Sequence, residues 1–169
     1  MFDAPVLDPY RFTTLAERVE GECCPDQIPV LQEYLFSPEG KIRFVVRGWV
    51  DERGRRLLDV QVDGRLWLVC RRCLSGLSFD LEAHSRIHFV GSEAALPDLE
   101  SEDPEEETLV IPASLDIAEW VAEEVLLALP FAPAHAGETC VEAGNAGKAL
   151  AGKTRPFAVL GALKGPSRE

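Results

Sequence analysis

Basic residues are scarce in this 169-residue chain: 17 lysines and arginines against 29 aspartates and glutamates leave a formal charge of −12. No lysine or arginine occurs anywhere between residues 87 and 147. Histidine is scarce too, with three in all, so imidazole chemistry is confined to His84, His88 and His135. No Gly-rich phosphate loop or Walker-type lysine is present, and Cys140 with His135 has no recognisable third group to orient it. These absences argue against an enzyme and against a small-molecule substrate. No apolar run approaches the roughly 20 residues a membrane helix needs. The longest, residues 125–134, contains Pro130 and Pro133, so no membrane partner is expected. The first residues, Met1-Phe2-Asp3-Ala4-Pro5, lack the basic and apolar regions of a secretory signal, and a cytoplasmic location is the expectation. In that compartment the five cysteines read as thiols or metal ligands rather than a disulfide framework.

What is present is enough for a core, since 46% of the residues are hydrophobic. The charge is also segregated. Residues 41–72 carry nine basic and four acidic side chains, whereas residues 87–147 carry fourteen acidic ones. A whole-chain charge therefore hides a basic block that a polyanion would attract and an acidic block that it would avoid.

Hydrophobic periodicity predicts an α+β fold. Residues 13–22 suit a short N-terminal helix, with Leu15 and Val19 at i, i+4. From Lys41 the period is two: Ile42, Phe44, Val46 and Val50 point one way, Lys41, Arg43, Arg47 and Trp49 the other. Arg53-Gly54 marks a turn, and Asp63-Gly64 is the strongest hairpin signal in the chain. Leu66, Leu68 and Cys70 continue the apolar side, with Arg65, Trp67 and Arg71 opposite. Leu77 to Phe89 forms a further alternating strand. The expected architecture is an antiparallel β-meander or partly closed barrel over residues 41–90. One main amphipathic helix at 115–129 covers it, with Asp116 as N-cap and Ala118, Val121, Val125 and Leu129 as its apolar stripe. Residues 91–110 read as an acidic loop. The single domain is expected to end near residue 140, with 141–169 a flexible linker and a short apolar tail with helical character.

Cys70-Arg71-Arg72-Cys73 lies where one strand ends and the next begins, as a zinc knuckle would. A C-x2-C pair supplies half of a tetrahedral site. His135 and Cys140, directly after the proline-terminated helix, offer the other half, giving a Cys3His set of Cys70, Cys73, His135 and Cys140. The competing reading makes Cys70 an ordinary core residue, continuing Leu66 and Leu68. His84 and His88 would stand about 13 Å apart on a strand, too far to share one ion.

The basic block supplies a second candidate site. Lys41, Arg43, Arg47 and Trp49, with Arg65, Trp67, Arg71 and Arg72, place guanidinium groups among aromatics, the pairing needed to hold phosphate and stack on unpaired bases. An ordinary solvated sheet face is the alternative.

Three elements resemble one family. Cys70-Arg71-Arg72-Cys73-Leu74 is similar to the C-x-R-C element of the large ribosomal RNA subunit accumulation protein (YceD) family. So are Leu126 to His135 followed by Cys140, and the tail Pro156-Phe157-Ala158-Val159-Leu160 with Leu163-Lys164. Residues 1–40 carry little of the likeness. The matching positions are Cys70, Arg72, Cys73, Leu129, Pro130, Pro133, His135, Cys140 and Phe157. The resemblance implies a non-enzymatic bacterial ribosome biogenesis factor, with chloroplast relatives, that supports synthesis, processing or stability of large-subunit (23S) ribosomal RNA. Its expected partner is that RNA or a pre-ribosomal particle. The alternative is an acidic interaction module that holds a basic large-subunit ribosomal protein without contacting RNA.

Overall fold

The computed structural model describes residues 2–97, 106–136 and 140. The chain divides into two units, Met1–Ala134 and His135–Glu169. Of the second, only His135, Ala136 and Cys140 are described, so the expected linker and apolar tail lie outside the described residues.

The first unit is α+β. Strand β1 (Val6–Leu7) leads into α1 (Pro9–Thr14), which starts where Asp8 accepts the amide hydrogens of Tyr10 and Arg11. Pro9, with no amide hydrogen to satisfy, occupies the first turn. The helix thus ends before the expected N-terminal helix over 13–22 would have properly begun. Residues 18–23 form strand β2 (Arg18–Cys23) instead. The physical reason is visible in its alternation: Arg18, Glu20 and Glu22 face solvent, while Val19 and Cys23 turn inward.

Three long strands follow: β3 (Leu35–Val50), β4 (Arg56–Val69) and β5 (Gly76–Val90). With β2 and β6 (Glu107–Val110) they make one sheet in the order β2-β3-β4-β5-β6. All pairings are antiparallel except β5 with β6, which is parallel. The sheet is open, with β2 and β6 as its edges, so it is not a closed barrel. Its last strand takes residues from the segment expected to be acidic loop; residues 98–105 of that segment lie outside the described residues.

The expected hairpin at Asp63-Gly64 does not form. Both residues lie inside β4, where Gly64 pairs with Ile42 on one side and Leu81 on the other. Glycine is required there for a different reason: a Cβ at Gly64 would run into the backbone carbonyl oxygen of Lys41, where β3 is irregular. The turn at Arg53-Gly54 is real. Asp51 and Arg55 close it, and Gly54 has φ +79°.

One face of the sheet carries the core, with Ile42, Phe44, Val46, Leu58, Val60, Val62, Leu81, Ile87 and Phe89 all buried. Helix α2 (Ile117–Ala128), entered from β7 (Leu115–Asp116), packs on this face. Asp116 caps it as expected, accepting from the amides of Ala118 and Glu119. Val121 and Val125 are fully buried, each contributing about 1.5–3 kcal/mol of burial. Helix α1 adds Phe12 to the same side. Its ring fills the space over Gly48, where a Cβ would come 2.6 Å from the ring edge. The opposite face of the sheet is mostly polar, with Trp49, Leu57 and Trp67 among its apolar members.

Candidate metal centre and charged sheet face

Strand β4 delivers Cys70 to the end of the core, fully buried in line with Leu66 and Leu68. The chain then turns tightly. The Cys70 amide donates to the Ser75 carbonyl (2.9 Å) and the Leu74 amide donates to the Cys70 carbonyl (2.8 Å). Leu74 is held at φ +63°, uncommon for a residue other than glycine, and it remains 71% exposed. This turn carries Cys73, whose sulfur lies 3.0 Å from Ser75 Oγ.

The partner segment arrives by a backbone bond. The Arg71 amide donates to the Pro133 carbonyl at 2.8 Å, fixing the stretch that follows the proline-terminated α2. His135 is two residues further on, and two residues span at most about 7 Å. Covalent connection therefore limits how far its imidazole can be from the cysteine turn. Cys140 Sγ lies 3.4 Å from His135 Nδ1. The four donor atoms of Cys70, Cys73, His135 and Cys140 all lie within 4.8 Å of one another. Zn–S bonds of about 2.3 Å in a tetrahedron put neighbouring sulfurs roughly 3.8 Å apart. The residue types are those that could hold a metal ion. Two members are buried and two half-buried, and three thiols with one imidazole leave no open coordination position. This is the donor chemistry of a structural site rather than a catalytic one. The core and metal readings of Cys70 do not exclude each other, because the residue is both buried in line with the core and a member of the cluster.

The basic residues take two different positions. Lys41, Arg43, Arg47 and Trp49 on β3 and Arg65 and Trp67 on β4 share the exposed sheet face. Because 56–69 is one strand, Arg65 stands directly opposite Lys41. Arg71 and Arg72 do not continue this face: β4 ends at Val69, and they belong to the cysteine turn. The Arg71 guanidinium sits 5.7 Å from the Tyr34 ring centroid.

Carboxylates interleave with the cations on the sheet. Lys41 pairs with Glu22 at 3.1 Å, Arg43 with Asp63 at 2.8 Å and Arg65 with Asp80 at 2.7 Å. Trp49 is half-buried, with the Arg86 guanidinium 5.8 Å from its ring centre. Arg47 makes no ion pair among the described residues, and Trp67 is 39% exposed.

Asp59 is the residue that sequence reasoning missed. It is 7% exposed on the mostly polar sheet face, beside buried Leu57, and it accepts from His84 Nε2 (2.8 Å), Arg86 (3.3 Å) and Gln61 (3.1 Å). Its only sequence signal was an acid on the outer parity of a strand, where Asp63 of the same strand gives an identical one. His84 is thus one of its partners, while His88 faces Glu106 at 3.9 Å.

The sequence pattern of the family described as large ribosomal RNA subunit accumulation protein YceD matches residues 58–164, well over half of the chain. The chain belongs to this family. The YceD match begins inside β4 and includes the cysteine turn, α2, Pro130, Pro133, His135 and Cys140, so all four candidate metal ligands fall within it. Arg65, Trp67, Arg71 and Arg72 fall within it as well, whereas Lys41, Arg43, Arg47 and Trp49 precede it. Phe157, also in the YceD match, lies outside the described residues. No solved structure matches the chain. Among the described residues, no helix is long and apolar enough to cross a membrane.

Proposed function

We propose that this protein is a non-enzymatic ribosome biogenesis factor that supports large-subunit (23S) ribosomal RNA by binding that RNA or an RNA–protein intermediate. The observation that carries the reading is the family match over residues 58–164, which encloses the cysteine–histidine cluster. In this reading zinc bound by Cys70, Cys73, His135 and Cys140 ties the β4–β5 turn to the segment after α2. The metal has a structural role, and Arg71 and Arg72 are held on the turn it stabilises. Exposed Trp67 and the arginines of the sheet face supply stacking and phosphate contacts. Affinity purification from growing cells with and without RNase tests it. Recovery of large-subunit RNA, lost with RNase, is the expected result.

The ion pairing of the sheet face favours a second reading in one respect. Lys41, Arg43 and Arg65 already have carboxylate partners, while Glu119 and Glu123 are exposed on α2. An acidic module that holds a basic ribosomal protein would use those carboxylates. Capture of such a protein that persists after RNase treatment would select this reading.

A further inference from the structure

At the end of β4 opposite the cysteine turn, the β3–β4 turn and α1 enclose a cleft of about 390 Å³. Its walls include Tyr10, Arg53, Arg55, Arg56, His88 and Ile111. We infer that this cleft binds one nucleoside-phosphate unit, supplied by a single-stranded RNA.

The charge of the lining singles it out. The larger depression on the sheet face, about 540 Å³, sets Lys41, Arg43 and Arg65 against Glu22, Asp63, Asp80 and Glu82. The neighbouring depression has Asp63 and Glu82 with His84. Among the described residues the arginine cleft is lined by three arginines and no acidic residue, with the carboxylates that hold Arg55, Asp51 and Glu106, outside the lining. A concave, one-sign surface concentrates anions where a flat, mixed one does not.

The arginines are also pre-positioned. Arg56 lies over the Tyr10 ring, its guanidinium carbon 3.6 Å from the centroid. Its Nη1 donates to the Tyr10 carbonyl (3.3 Å), Thr13 Oγ1 (3.1 Å) and Thr14 Oγ1 (2.8 Å). Arg55 is clamped from behind, with Nε on Asp51 and Nη1 on Glu106, both at 2.8 Å. In each case Nη2 makes no hydrogen bond among the described residues. Arg53 has no side-chain ion pair among them and is exposed at the turn. Two oriented guanidinium groups beside a third that can swing suit a phosphate. Tyr10, 59% exposed, lines the cleft together with apolar Ile111, and an aromatic ring is a surface on which a base can stack. The cleft volume lies within the range of small-ligand sites.

The inference rests on the RNA-binding reading and adds a contact for one nucleotide to those of the sheet face. The test uses the full chain, a labelled twelve-nucleotide single-stranded RNA, and AMP as the free-nucleotide probe. Wild type is compared with Arg53→Glu, with Tyr10→Ala, and with Arg43→Glu on the sheet face. Expected results are about tenfold weaker RNA binding for Arg53→Glu at unchanged thermal midpoint, a shallower salt dependence by roughly 0.7 per lost phosphate contact, and ultraviolet cross-linking at Tyr10. Arg43→Glu should have less effect. Weakening by Arg43→Glu with none by Arg53→Glu overturns the cleft assignment and leaves the RNA reading standing. Tight AMP binding, lost in Arg53→Glu, without RNA binding keeps the cleft as a free-nucleotide site and overturns the RNA reading. Binding of neither probe overturns both.

Discussion

Arg43 and Asp63 stand directly opposite each other on β3 and β4, and the Arg43 Nε and Nη2 groups both donate to Asp63 Oδ2, at 3.1 and 2.8 Å. The pair is the unit from which the sheet face is built. Arg18, Lys41, Arg43, Arg47, Arg65 and Arg86 share that face with Glu20, Glu22, Asp59, Asp63, Asp80 and Glu82, leaving it without net charge. A segment that is strongly basic in sequence becomes neutral when its neighbours in space are counted.

Both members of the Arg43–Asp63 pair are more than half exposed, so the pair contributes little to stability. Asp63→Asn combined with Asp80→Asn should therefore shift the urea-unfolding free energy by less than about 1 kcal/mol. The same double substitution leaves Arg43 and Arg65 uncompensated. RNA affinity should rise several-fold at low salt, and the gain should fade as salt screens it. Fluorescence anisotropy across a salt series checks both statements.

The candidate metal centre makes a sharper prediction. Protein purified without chelator should hold one zinc per chain by elemental analysis, and Cys73→Ser should lose it. Because metal binding and folding are coupled, zinc removal should lower the thermal midpoint markedly, with recovery on adding zinc back. Cys24→Ser is the control, since exposed Cys24 is outside the cluster and its loss should leave zinc content unchanged.

Glu124 provides a pH signature. It sits half-buried on α2 under the sheet, and burial pushes its carboxyl above the ordinary value, helped by Glu107 and Glu123. The Ser85 hydroxyl, donating at 2.6 Å, and His84 act in the opposite direction without cancelling the rise. A carboxyl that holds its proton more tightly when folded makes the folded state bind more protons than the unfolded one. Its contribution to stability is therefore lost as pH rises through the folded value. Glu124→Gln keeps an acceptor for Ser85 and removes the buried charge. The variant should gain stability over wild type at neutral pH and lose that advantage in acid, read from urea midpoints between pH 4 and 8.

What was legible in the sequence was whatever alternates or caps locally. The inward sets of β3 and β5, the Asp116 cap of α2 and the Arg53-Gly54 turn are all local patterns, and each stands. Cys70, Cys73, His135 and Cys140 were legible as ligand types, and the Arg71–Pro133 bond explains how two separated segments meet. Asp63-Gly64 misled because its glycine answers to a neighbouring strand, the Lys41 carbonyl, and not to its own backbone torsions. The N-terminal helix was misplaced because Leu15 and Val19 fit a helical spacing over too short a window, whereas β2 draws its support from pairing with β3. The arginines Arg53, Arg55 and Arg56 were legible as turn residues, but the cleft around them and the burial of Asp59 were not, because distant segments complete each: Tyr10, His88 and Ile111 for the cleft, His84 and Arg86 for Asp59.

Adjacent Cys23 and Cys24 separate by environment alone. Cys23 ends β2 with its side chain in the core at 3% exposure, and burial pushes its thiol up to about 11, with Cys24 adding to the rise. Cys24 faces solvent. The thiolate is the reacting species, so at neutral pH Cys23 is protected twice, by protonation and by packing. Brief iodoacetamide treatment of the folded protein should label Cys24 and spare Cys23 in peptide mass mapping. In urea both should label at similar rates. Equal labelling in the folded protein would show that β2 opens from its edge position on the timescale of the reaction, because Cys23 pairs with Ile42 only while that strand is in place.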